Sequence, residues 1–236
     1  MVPDEKRLTK HQTRITKDWQ KELPRLGIYR PRHLLRRVGP LMVGVCLDRD
    51  SSGIRYIPTF HVHFLGNENS SLSLILGTRV RPQSGGAYEE IRVSSHNESY
   101  KDSVRRLVEQ APLSVEGPLT VREVVEAYRK YAKTLDGQLT LAYLYQDCIK
   151  LLTCYGLADE ARSMLKEILG DTVGDRKFQH FQGRQSFIDK MTNAIDHPEK
   201  IWQTVQEQIV YHKLGKIPFE EFVNAVPFPG IPSVQP

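Results

Sequence analysis

The chain has 236 residues, 39% of them hydrophobic and 26% charged, with a net charge of +5. That length can bury a sizeable core as one larger domain or two small ones, and the balance is that of an ordinary soluble protein. No apolar run approaches the roughly 18 residues of a membrane span, and the charged, polar start is not expected to be a secretory signal. The three cysteines, Cys46, Cys148 and Cys154, are odd in number and unpaired in spacing, so buried thiols in a reducing cytoplasm are expected rather than a disulfide framework.

The charge is unevenly placed. Residues 1–40 carry 11 Lys/Arg and four Asp/Glu, a surplus of +7, whereas the other 196 carry 22 basic and 24 acidic side chains, a balance of −2. Residues 4–23 read as a helix, with Leu8, Ile15, Trp19 and Leu23 on one side and cations around the rest; Pro24 ends it. From Pro31 to Gly39 the order suggests a short amphipathic helix. Arg32/Arg36 and His33/Arg37 lie four apart on its outer surface, and Leu34, Leu35 and Val38 pack beneath.

Residues 41–47 are almost continuously apolar, as in a strand covered on both faces. Residues 54–65 alternate, and Asp48 to Gly53 between them has turn chemistry, so the pair predicts a β-hairpin. Pro58 points to an edge strand or a bulge. Leu72, Leu74 and Leu76 predict a third strand, and Tyr88 to Ser95 a fourth, giving an antiparallel meander.

Beyond residue 97 the period becomes 3.6. A helix is predicted from Ser99, and a second from Thr120, which forms a capping box with Glu123. A third, over residues 138–155, is apolar around much of its circumference and belongs at the centre. A fourth runs over 157–169. Residues 171–185 read as a long surface loop. Helices follow from Ser186, Pro198 and Pro218, and the proline-rich tail from Pro227 is expected either to lie against the body in extended form or to serve as a docking peptide.

Strands followed by helices without βαβ alternation define an α+β protein: an N-terminal helix, an antiparallel meander of three to four strands and an all-helical C-terminal half. A boundary near Ala111-Pro112 divides a basic arm with its sheet, residues 1–111, from a helical domain, residues 112–236.

Two groups of residues carry functional expectations. Lys10, Arg14, Lys17, Arg30, Arg32, Arg36 and Arg37 form a basic region suited to phosphates of a nucleic acid or to an acidic protein face. His61 and His63, two apart on one strand, project to the same side, where Asp48 or Asp50 in the preceding turn, or His96, would complete a divalent-metal site for a hydrolase or nuclease. No nucleophile, phosphate loop or calcium loop is recognisable. The reading therefore leans away from an enzyme. It favours a non-catalytic interaction subunit of a multi-protein assembly without a cofactor, with nucleic-acid binding and metal-dependent hydrolysis as the alternatives.

Overall fold

The computed structural model describes residues 5–50, 52–170 and 175–225, the side chains of residues 5–11, 135 and 175 excepted. The expectation for the proline-rich tail falls outside the described residues.

The thin apolar stripe of the first helix, α1 (Glu5–Glu22), finds the support it needs: Ile15 and Trp19 on it, and Leu23 just beyond, are buried. The chain then folds into strands rather than the helix expected at 31–39. These are β1 (Gly27–Arg30) and β2 (His33–Val38), paired antiparallel around Pro31-Arg32, with Arg32 at φ 69°. Gly39, at a φ of 53° that favours glycine, turns β2 into β3 (Leu41–Arg49). The correction has a simple cause. An i,i+4 spacing shares a face on a helix, but as an even spacing it also shares a face on a strand. Leu34, Leu35 and Val38 are all buried, so β2 is covered on both sides and shows no tell-tale alternation.

β3 continues through the expected hairpin into β4 (Arg55–Phe64); Asp48, expected in the turn, lies within β3. β4 has neighbours on both sides and is no edge strand. Pro58 sits where it changes partner, between pairs made by Arg55 and Tyr56 with β6 (Ile91–Arg92) and pairs made from Thr59 onward with β5 (Ile75–Arg79). The bulge expected near Pro58 appears as a register shift between Phe60 and Val62. The third strand starts at Ile75 rather than Leu72, the fourth is cut to two residues, and Leu76, at φ 54°, interrupts the alternation.

The helical half begins at α2 (His96–Gln110), three residues before Ser99. α3 (Val121–Ala132) carries the predicted capping box, Thr120 and Glu123 bonding reciprocally. The predicted central helix is interrupted at Thr140 into α4 (Leu135–Leu139) and α5 (Leu141–Cys154); α5 is buried around nearly all of its circumference. α6 (Ala158–Gly170) follows Gly156. Residues Asp175–Phe181, expected in a surface loop, form a 3-10 helix whose Phe178 is fully buried. α7 (Arg184–Asp196) and α8 (Pro198–Tyr211) match expectation. The last predicted helix is absent: Phe219–Glu220 is instead a strand, β7, pairing parallel with β2 and giving a seven-stranded sheet. The architecture is α+β, with an N-terminal helix, a mainly antiparallel sheet and a helical C-terminal half. Among the described residues no helix is long and apolar enough to cross a membrane.

The chain packs as two units. One contains the residues through His63, Leu72–Pro118 and Leu214–Glu220; the other contains Phe64–Ser71, Leu119–Lys213 and the described residues from Glu221 onward. The first is centred on Trp19, Leu34, Leu35, Phe60 and Val62, the second on Ile149, Phe178, Phe187 and Val205, all of them fully buried.

Candidate ligand-binding site

The basic residues singled out in the sequence do not form one surface. Arg14 and Lys17 are exposed on α1, three residues apart and so on one face; the side chain of Lys10 lies outside the described residues. Arg30 is exposed with its guanidinium 4.6 Å above the Tyr29 ring, and Arg32 is half-buried at its turn. Arg36 and Arg37, consecutive on a strand, point to opposite faces and are 0% and 3% exposed. Arg36 Nη1 bonds Glu220 at 2.9 Å, and its Nη2 bonds the carbonyls of Ser114 and Gly117 at 2.9 and 2.6 Å. Arg37 lies 4.3 Å over the Phe219 ring. These two arginines hold β7 and the 114–117 loop against β2.

The histidines are likewise internal. His61 and His63 share a face of β4 and are both fully buried. His61 Nε2 lies 2.6 Å from His33 Nε2, so one ring donates the only proton that fits between them and the other accepts it. Burial and Arg30 pull His33 down to about 4; burial, then His33 and His63, hold His61 well below the usual histidine range. The pair is neutral at pH 7. His63 Nδ1 accepts from the Ser73 backbone N–H at 2.9 Å, placing its proton on Nε2. His96 is occupied elsewhere. Trp19 Nε1 donates to Tyr56 Oη at 3.2 Å, Tyr56 lies 2.8 Å from His96 Nδ1, and His96 Nε2 lies 3.3 Å from Asp18. Among the described residues no group of three or more His, Cys, Asp or Glu side chains converges to hold a metal ion.

The best-built polar site lies in the helical unit and was not singled out from the sequence. A cavity of about 500 Å³ falls within the size range of ligand pockets, about 300–1,000 Å³. Tyr143 and Phe181, with ring centroids 5.1 Å apart, and His180 line one part of it. Lys150, Lys190, Gln146, Ser186, Thr204 and Glu68 contribute its polar groups. Lys190 Nζ lies 5.5 Å from the Phe181 ring centroid.

Behind this wall runs a buried network. Asp147 accepts from Asn67 Nδ2 at 2.6 Å and from Tyr128 Oη at 3.4 Å. Because the carboxylate takes the Asn67 amide N–H, Asn67 Oδ1 must face the other way. There it accepts from Gln146 Nε2 at 2.6 Å and Lys150 Nζ at 2.7 Å. Lys150 Nζ also donates to the Gly66 carbonyl at 2.7 Å. A Cβ at residue 66 would meet the Phe64 ring and Ile201, so a larger residue there would have to displace those side chains. Burial, then the neighbouring charge of Lys190, pulls Lys150 down to about 8, and burial pushes Asp147 up to about 7.

These shifts carry a stability signature. Asp147 keeps its proton in the folded state to a higher pH than in the unfolded chain, so its contribution falls as pH rises from the ordinary carboxylate value to about 7. Lys150 acts in the opposite sense, recovering stability as pH rises from about 8 toward the ordinary lysine value. Asp147→Asn preserves the shape and an acceptor for Asn67. It is expected to be more stable than wild type by on the order of 4 kcal/mol at pH 8, and by little at pH 4. Urea unfolding of both proteins across this range checks it; a difference independent of pH would refute the assignment.

A signal for this site did exist. Asp147 and Lys150 are two ionisable groups set three apart inside the most apolar helix, a placement that calls for partners. Those partners come from Gly66, Asn67 and Tyr128 of α3, which sequence proximity does not connect. Comparison with protein-family models, with curated proteins and with solved structures finds no match, so the functional reading rests on the geometry.

Proposed function

We propose that the helical unit binds a small organic anion in the Lys150 cavity. The observation that carries this reading is Lys150 itself. Its amine is held by the Gly66 carbonyl and Asn67 Oδ1, and it shares with Lys190 a cavity of ligand size. An ammonium has three N–H donors; with two taken by the protein, one remains for a carboxylate or phosphate oxygen. Glu68 adds one negative charge at the rim, leaving a cationic excess from the two lysines.

Calorimetric titration with succinate, citrate and inorganic phosphate tests the reading. Saturable binding of at least one is expected. Lys150→Met should remove a charge-assisted contact of about 1.5–3 kcal/mol, a loss of about ten- to a hundredfold in affinity. Absence of saturable binding, or binding indifferent to Lys150→Met and Lys190→Met alike, would sink it.

A second reading concerns the N-terminal unit: a non-catalytic interaction surface for an acidic protein partner, centred on Arg14 and Lys17. It is supported by the exposure of both side chains on one face of α1. Arg14→Glu/Lys17→Glu should abolish salt-sensitive capture of an acidic partner while leaving the unfolding midpoint within experimental error. A shift of an oligonucleotide in a gel, reversed by the same substitutions, would instead assign the surface to nucleic acid. We propose a cytoplasmic location on a separate ground: the free thiols at Cys46, Cys148 and Cys154 suit a reducing compartment.

A further inference from the structure

Building on the reading of the Lys150 cavity as an anion site, we propose that its ligand is a small 2-oxo acid and that Lys150 Nζ captures its carbonyl carbon as a reversible imine. A neutral amine has two hydrogens and one lone pair. The two acceptors at 2.7 Å, Gly66 O and Asn67 Oδ1, account for both hydrogens. The lone pair is left at the remaining tetrahedral corner.

The acceptors are fixed. Asn67 cannot flip without losing its bond to Asp147, and the Gly66 acceptor is a backbone carbonyl with no side-chain rotor to turn away. Two circumstances activate a lysine as a nucleophile, removal from water and the nearness of a second cation. Lys150 has both, the second from Lys190. Lys190, in the same cavity and less buried, is placed to take the carboxylate that a 2-oxo acid carries beside its carbonyl.

The step balances without a further reactant. Nζ attacks the carbonyl carbon, a C–N bond forms, and the carbonyl π pair moves to oxygen, which takes a proton. The carbinolamine then expels that oxygen as water, both amine hydrogens leaving with it. Nothing is oxidised or reduced. Outside this cavity no other described lysine combines burial with a fixed pair of acceptors; Lys17, Lys21, Lys166, Lys213 and Lys216 are exposed.

Borohydride trapping tests the inference on the full chain, with pyruvate and 2-oxoglutarate as probes. Intact mass should rise by the mass of the acid less one oxygen, and peptide mapping should place the adduct on Lys150. Lys150→Arg keeps the positive charge and donates to the same acceptors but cannot form the imine, so it should fold and lose the adduct. Lys190→Met should raise the acid concentration needed for half-maximal labelling. Label spread over exposed lysines, or undiminished in Lys150→Arg, would overturn the assignment. If succinate or citrate binds in a Lys150-dependent way but neither oxo acid is trapped, the imine falls and the anion site stands. If nothing binds and nothing is trapped, both fall.

Discussion

Arg36→Met is expected to lower the unfolding free energy by about 3 kcal/mol, among the largest single effects available in the N-terminal unit. The guanidinium is 0% exposed, and it ties its own strand to two other stretches of chain, through Glu220 and through the Ser114 and Gly117 carbonyls. Glu220 is 28% exposed and also lies 3.7 Å from Arg25, so after the substitution it can turn to that partner and to water. The two carbonyls each lose a bond from a charged donor, and these lost bonds account for most of the cost. Lysine should not rescue, since one ammonium cannot reproduce the planar fork that meets a carboxylate and two carbonyls at once. Urea unfolding of Arg36→Met, Glu220→Gln and the double variant measures the coupling. A loss under about 0.5 kcal/mol, the range of ordinary surface changes, would show that Arg36 is not a structural clamp. The outcome also bears on function: charge reversal at Arg36 reports on folding, so Arg14 and Lys17 are the proper probes of an acidic partner.

Phe178→Ala should cost about 3–5 kcal/mol, the range for removing a large buried aromatic. Phe178 is fully buried against Phe187, with ring centroids 5.1 Å apart. Its short 3-10 helix also carries His180 and Phe181, and Gln182 follows directly; all three line the cavity. The variant should therefore lose anion binding along with stability. Lys177→Ala, one residue away, removes only a side-chain bond to the exposed Gln138 and should stay within about 0.5 kcal/mol of wild type. If residues 175–181 were merely a surface loop, both substitutions would leave the urea midpoint unmoved.

The contrast between these two sites shows why sequence reading stopped where it did. Helices are local structures, written in spacing and capping residues that lie within a few positions of one another. α1, the capped start of α3 and the central place of α5 could be read for that reason. β2 and β7 could not. The identity of β2 as a strand depends on β3 and on two residues nearly 200 positions away, and burial on both faces removes the alternation that marks a half-exposed strand.

The same division applies to charge. Counting residues located the cationic surplus in the first 40 positions, because net charge is a property of composition. Which of those cations meet water was decided by the sheet, which turned Arg36 and Arg37 inward and left Arg14 and Lys17 outside. In the helical unit, Lys150 is a charge in an apolar helix, but the spacing that makes the helix readable says nothing of what meets its amine. Its chemistry arises only where the Gly66-Asn67 turn and Lys190 are brought to its amine, because desolvation and the field of a neighbour are set by distances in space, not by order along the chain.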